Sequence, residues 1–174
     1  MRRVVVPSPV MMVAFTLLLS GTLASRAAAQ ERVGDFVVVM DRDELDDSNR
    51  SYIFTAAVND TGNRTVGLAW KCMEDGLNIL ILFGTYFGGD ADDEIQVRYR
   101  FDDGEPSDIQ YWPLLQGNES AYMPMHLIRG FTEQALGAGR VVVRVTDPLD
   151  GETLTDTFDL RGLGGALQRL LPCS

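Results

Sequence analysis

The sequence predicts a mainly β domain that leans towards α+β: an antiparallel β-sandwich, or a sheet, with two short helices packed against it. Three observations carry this. Apolar and polar residues alternate at period two through much of the chain, as in "EIQVRYRFD", which marks strands with one wet face. Turn-forming residues interrupt these runs at Asp60–Asn63, Gly88–Asp93, Asp102–Pro106 and Asp147–Gly151. Only two stretches, one opened by Pro124 and one following Gly162, space their apolar residues as a helix does. The order is many strands, a helix, two strands, a helix, which suits a sheet with helices at its side. There is no strand–helix alternation of a nucleotide-binding fold, no internal repeat and no low-complexity linker.

The chain opens with a basic pair, Arg2-Arg3, then the apolar run "MMVAFTLLLSGTLA", then "SRAAAQ" with small Ala27 and Ala29. This pattern predicts a secretory signal peptide over residues 1–29, cleaved between Ala29 and Gln30, and a single exported β-rich domain over residues 30–174. The apolar run is short for a membrane anchor of about 20 residues. No later run is apolar enough to cross, so no membrane span is expected after cleavage. Loss of Arg2, Arg3 and Arg26 with the leader takes the net charge from −10 to −13. Such a chain repels nucleic acid and anionic lipid, so neither is expected as a partner; a basic partner, or plain solubility, suits the acidic surface better.

Residues 30 to about 35 read as a loose lead-in. "DFVVVMDR" and "SYIFTAAV" follow as weaker strands. "TVGLAWKC" then sets Val66, Leu68, Trp70 and Cys72 on one face. The hairpin signal Asp75-Gly76 leads into "GLNILILFGTY", apolar on both parities apart from Asn78, and read as a central strand covered on both sides. In "EIQVRYRFD", Ile95, Val97, Tyr99 and Phe101 face inward and Gln96, Arg98, Arg100 and Asp102 outward. The first helix carries a stripe of Leu127, Ile128, Phe131, Ala135 and Leu136 and ends at Gly137. "RVVVRVTD" turns Val141, Val143 and Val145 inward, and "LTDTFDL" is a weaker strand. The last helix has Leu163, Ala166, Leu167, Leu170 and Leu171 on one face and stops at Pro172. It is too short to be stable alone, so it must dock on the sheet.

Two cysteines, Cys72 and Cys173, remain after cleavage. An even count in an exported chain reads as a structural disulfide. The pair is poor material for a zinc site with a single histidine to help, and there is no CxxC for redox chemistry. The bridge would fasten a chain end that otherwise frays.

No catalytic set emerges. Acids cluster at Asp41, Asp43, Glu44, Asp46 and Asp47 and again at Asp90, Asp92, Asp93 and Glu94, but neither run has the loop glycine and closing glutamate of a calcium-binding EF-hand, and both read as solvated turns. Met123, Met125 and His126 offer soft ligands for Cu(I) in one short cluster without a second motif. A serine triad would have to use His126, and no serine sits in a G-x-S-x-G elbow. Asn59, Asn63 and Asn118 begin short N-x-[ST] matches. In "DIQYWPLLQGNESAYMP", Tyr111, Trp112 and Tyr122 either present a contact patch or cap the open end of the sheet.

The order "WKC", "RYRFDDGEP", "YWPLL", "AYMP", "LIRGFTEQALGAGRVVVRV", "FDLRGLGGALQRLLPC" resembles the VasI-like accessory proteins of bacterial type VI secretion clusters and related exported proteins. The resemblance runs from about Val66 to Cys173. It implies a periplasmic or secreted protein without catalytic residues or cofactor, with Cys72 and Cys173 as the bridge and Arg98, Arg100 and Asp102 on a motif strand. The expectation is therefore a non-enzymatic accessory protein that binds a protein partner in the envelope or secretion machinery, with no small-molecule substrate. Arg98, Arg100, Asp102, Tyr111, Trp112 and Tyr122 are the candidate contacts. The alternative is a small periplasmic metal-binding protein or hydrolase.

Overall fold

In the computed structural model of the chain, residues 29–58, 65–170 and 172–173 are described. The predicted leader up to residue 28, the predicted turn at Asp60–Asn63 with Asn59 and Asn63, and Leu171 lie outside the described residues.

Alternation of apolar and polar side chains builds two antiparallel sheets. One joins six strands, β1 (Ala29–Val33), β2 (Phe36–Met40), β3 (Tyr52–Ala56), β4 (Gly67–Met73), β5 (Gly76–Leu82) and β8 (Ser120–Tyr122), in the order β1-β2-β3-β4-β5-β8. The other joins four, β6 (Glu94–Phe101), β7 (Gln110–Pro113), β9 (Arg140–Thr146) and β10 (Thr153–Asp159), in the order β10-β9-β6-β7. Two helices, α1 (Met125–Gly137) and α2 (Leu163–Leu170), complete the fold. Isolated bridges tie the sheets at two corners, Ala57 to Phe158 and Leu114 to Ala121. The predicted mainly β architecture with two packed helices is what the chain adopts.

The core lies between the sheets and under the helices. Leu68, Trp70 and Cys72 of β4 are fully buried, as are Ile95 and Val97 of β6, Val141 of β9 and Phe158 of β10. Phe131 of α1 joins the layers: its ring meets Trp70 of the six-stranded sheet and Tyr99 and Phe101 of the four-stranded one at centroid distances of 6.0, 4.8 and 5.0 Å. The Trp70 indole N–H donates to Thr132 Oγ1 at 3.0 Å, so the large ring is buried without an orphaned donor.

α2 docks across β1, β2 and β3 with Leu163, Ala166, Leu167 and Leu170 buried. Just beyond it, Cys173 is bonded to Cys72 across a separation of 101 residues. At the other end of α2, Gly162 and Gly34 both hold positive φ, +94° and +60°, where two backbones meet with no room for a Cβ. There the Asp35 N–H donates to the Arg161 carbonyl at 2.9 Å, and the Arg161 guanidinium forks onto both Asp35 carboxylate oxygens at 2.9 and 3.3 Å.

Four sequence expectations need correcting. The supposed lead-in is strand β1, paired from Ala29↔Met40 to Val33↔Phe36; Gly34 makes the tight reversal, and Glu31 pairs with Arg169 of α2 at 3.2 Å. The strand β5 is not covered on both sides: Ile79 and Ile81 are buried in the core, but Leu80 and Leu82, on the opposite parity, are half-buried on the outer face. Leu136 is 52% exposed, since α1 buries Ile128, Phe131 and Ala135 and turns Leu136 to the rim. The stretch around Tyr111 and Tyr122, to which the sequence assigned no strand, contains two, β7 and β8, one at an edge of each sheet.

Candidate functional site: the outer face of the four-stranded sheet

Period two decides which side chains of β6 and β9 leave the core. With Ile95, Val97, Val141, Val143 and Val145 inside, the intervening Arg98, Arg100, Val142 and Arg144 stand on the outer face. Antiparallel register sets Arg98 directly across from Arg144, and Arg100 across from Val142. Thr155 of β10 lies across from Arg144 on the other side. Arg98, Arg100 and Arg144 are all exposed.

These side chains border a shallow cleft of about 200 Å³ lined by Arg98, Arg100, Pro106, Val142, Arg144 and Thr155. The Arg98 Nε donates to the Ser107 carbonyl at 3.0 Å, and the Arg144 Nε donates to Thr155 Oγ1 at 3.1 Å. Each bond fixes a guanidinium through one edge and leaves its terminal nitrogens for another acceptor. Like charges directly across a strand pair are destabilising, and among the described residues no carboxylate pairs with either guanidinium. Arg50, Arg129, Arg140, Arg161 and Arg169 each reach a carboxylate; among the described residues Arg98, Arg100 and Arg144 form no ion pair, nor do Arg32 and Arg42, but only the first three stand together on one sheet face. In a chain with 25 acidic and 15 basic residues, three unpaired guanidinium groups on adjacent strands form a local positive island.

The other candidate contacts separate. Tyr111 is on this same outer face, opposite Gln96, 47% exposed, with its hydroxyl accepting from Gln96 Nε2 at 3.4 Å. Asp102 follows β6 with φ at +44°, and its carboxylate accepts the Gly139 N–H at 3.1 Å and the Arg140 N–H at 3.0 Å. It therefore fastens the α1–β9 connection and makes no ion pair with Arg100. Trp112 is not a surface residue: it is fully buried, opposite Ile95, and its indole N–H is satisfied by Gln110 Oε1 at 3.0 Å. Tyr122 sits across from Leu80 on the outer face of the six-stranded sheet, with Val37, Val39, Tyr52, Phe54 and Ala69 on the same face. Sequence reading missed Arg144. Its parity on β9 was legible, but its position beside Arg98 depends on the register between strands separated by a helix.

The acidic runs are engaged locally. The Asp43 carboxylate accepts the Leu45 N–H at 2.7 Å and pairs with Arg50 at 2.6 Å. The Asp46 carboxylate accepts the Ser48 N–H at 2.9 Å, and hydrogen bonding from Ser48 holds its pKa below the ordinary aspartate value. One Asp90 oxygen accepts the N–H groups of Asp92 and Glu94 at 2.9 and 3.0 Å. Met123 is fully buried while Met125 and His126 are exposed, so the three do not share one environment. A larger depression of about 480 Å³ lies over the disulfide, lined by residues including Asn49, Arg50, Lys71 and Glu74. Its cations are already engaged, Arg50 with Asp43 and Lys71 over the Tyr52 ring at 6.0 Å.

The sequence matches no protein-family model and none of the curated proteins. Among solved structures, the chain is similar to the crystal structure of invasion associated protein B from Bartonella henselae, with a TM-score of 0.55 and 16% identity over 83% of this chain and 95% of that one. At that identity the likeness is one of fold.

Proposed function

We propose that this is an exported, non-enzymatic accessory protein that acts by binding another protein through the outer face of its four-stranded sheet. The observation that carries the reading is the row of three arginines with no acidic partner among the described residues. Leaving like charges side by side on a sheet costs stability, and a surface that retains them in an acid-rich chain is suited to an external anion. The disulfide supports an oxidising compartment, in keeping with the leader-like start of the sequence. The resemblance to VasI-like accessory proteins supports a partner in the cell envelope or type VI secretion machinery.

The outer face of the six-stranded sheet, with Phe54, Leu80 and Tyr122, favours a second reading in which an apolar surface meets the partner. Site-specific photo-crosslinking in cells separates the two. A photoreactive residue at Val142 is expected to trap a partner protein, and one at Phe54 is not. Crosslinks only from Phe54 would transfer the contact to the apolar face, and no crosslink from either would count against a protein-binding role.

A further inference from the structure

The chemistry of the arginine face narrows its ligand, on the premise that this face is the contact surface proposed above. We propose that it takes a short, extended acidic segment of the partner, with carboxylates at alternate residues.

The first argument is geometric. Arg98 and Arg100 are two residues apart on one face of β6, so their Cα atoms lie about 6.6 Å apart along the strand. An extended chain with Asp or Glu at every second position carries carboxylates at the same period, so the two rows stay in step. The second argument is the direction in which the guanidinium groups are held. Arg98 is drawn towards the β6–β7 loop by the Ser107 carbonyl, and Arg144 towards β10 by Thr155. The cations flank a strip instead of converging on one point. A single phosphate or sulfate group would leave one of them unused, whereas two or three separate carboxylates engage them all. The terminal nitrogens left unengaged match the fork that arginine offers a carboxylate.

The third argument concerns length. The β6–β7 loop that forms one wall carries Asp103, Glu105 and Asp108, all exposed, and the whole chain has a net charge of −10. At physiological ionic strength the Debye length is about 8 Å, so an anion lying on the strip senses the arginines first. A long, uniformly charged polyanion would run past the strip into the acidic surroundings and be repelled. Between the arginines, Val142 and Pro106 supply apolar wall against which the intervening side chains of a peptide can rest.

The test is an NMR titration of the full exported domain with a synthetic peptide of alternating Glu and Thr, following backbone amides and arginine Nε–H signals. The expected result is saturable shifts at Arg98, Arg100, Val142 and Arg144. An alternating Gln and Thr peptide should produce none. Arg98→Gln/Arg144→Gln should weaken binding about tenfold, roughly 1.4 kcal/mol, with an unchanged circular dichroism spectrum and a urea midpoint no lower than that of wild type showing that the fold is intact. Absence of shifts with the acidic peptide would overturn the inference. If Val142 still crosslinks a partner in that case, protein binding survives and only the acidic ligand is lost. Tighter binding of a sulfated polysaccharide or a DNA oligonucleotide than of the peptide would also overturn it, by assigning the strip to another class of polyanion.

Discussion

Replacing Cys173 with serine cuts the cross-link from its half-exposed end and leaves the fully buried Cys72 sulfur in place, so no core cavity confuses the result. The bridge closes a loop with a separation of 101 residues. In the chain-entropy treatment such a loop lowers the entropy of the unfolded chain by about 16 cal/mol/K, or about 4.7 kcal/mol at 25 °C. The folded state loses little, because Leu163, Ala166, Leu167 and Leu170 still hold α2 on the sheet. The assay is urea unfolding without reductant, followed by the fluorescence of Trp70 and Trp112, both fully buried. With a urea slope of about 2 kcal/mol/M, the midpoint should fall by about 2 M. Chemical reduction of the wild-type protein should reproduce the fall, because it opens the same loop. A shift below about 0.3 M in both experiments, less than 1 kcal/mol at that slope, would refute the reasoning. It would mean that the terminal helix is held by apolar burial alone and that the unfolded chain gains little freedom when the loop opens.

Other predictions follow from single contacts. Trp112→Ala should cost about 3–5 kcal/mol by opening the core, whereas Tyr111→Ala on the adjacent outward position should stay within about 0.5 kcal/mol; equal costs in denaturant melts would contradict the assigned parity of β7. Gly162→Ala should destabilise by about 2–4 kcal/mol, because a Cβ there meets the Val33 carbonyl in a backbone conformation that disfavours alanine; an unchanged melting temperature would mean that the hairpin and α2 do not approach as described. Asp102→Ala should cost about 0.5–1.5 kcal/mol by releasing the Gly139 and Arg140 N–H groups to solvent, seen as faster hydrogen exchange at those two amides. The Asp46 carboxyl should titrate below 3.8. A folded-state pKa below the unfolded one gives a contribution that is complete above the unfolded value and is lost as pH falls through the folded one; an NMR titration placing it at or above 3.8 would contradict the Ser48 contact.

How much of this was legible in the sequence depends on whether local or long-range forces set each feature. Alternation in "EIQVRYRFD" and "RVVVRVTD" assigns the inward valines and outward arginines correctly, because a strand's parity is a property of its own residues. Cys72 shares parity with Trp70 and Leu68, so its burial could also be read. Strand β1 could not: its Glu31 and Arg32 suit a loop, and it is held by pairing with β2 and by the ion pair to Arg169. β7 and β8 are four and three residues long, too short for a periodicity to register, and the burial of Trp112 depends on its docking against β6. The site was half legible for the same reason. Arg98 and Arg100 follow from one strand, but Arg144 joins them only through the register of β6 with β9.

The claim that the partner meets the four-stranded sheet is tested most directly by measuring the affinity of a crosslinked and purified partner for two surface variants. Arg98→Glu/Arg144→Glu reverses charge on one sheet, and Tyr122→Ser trims the opposite one. The arginine variant should bind at least about tenfold more weakly, roughly 1.4 kcal/mol or more, while the tyrosine variant stays within about twofold of wild type, some 0.4 kcal/mol. Full affinity in the arginine variant together with loss in the tyrosine variant would contradict the assignment and move the binding surface to the other side of the sandwich.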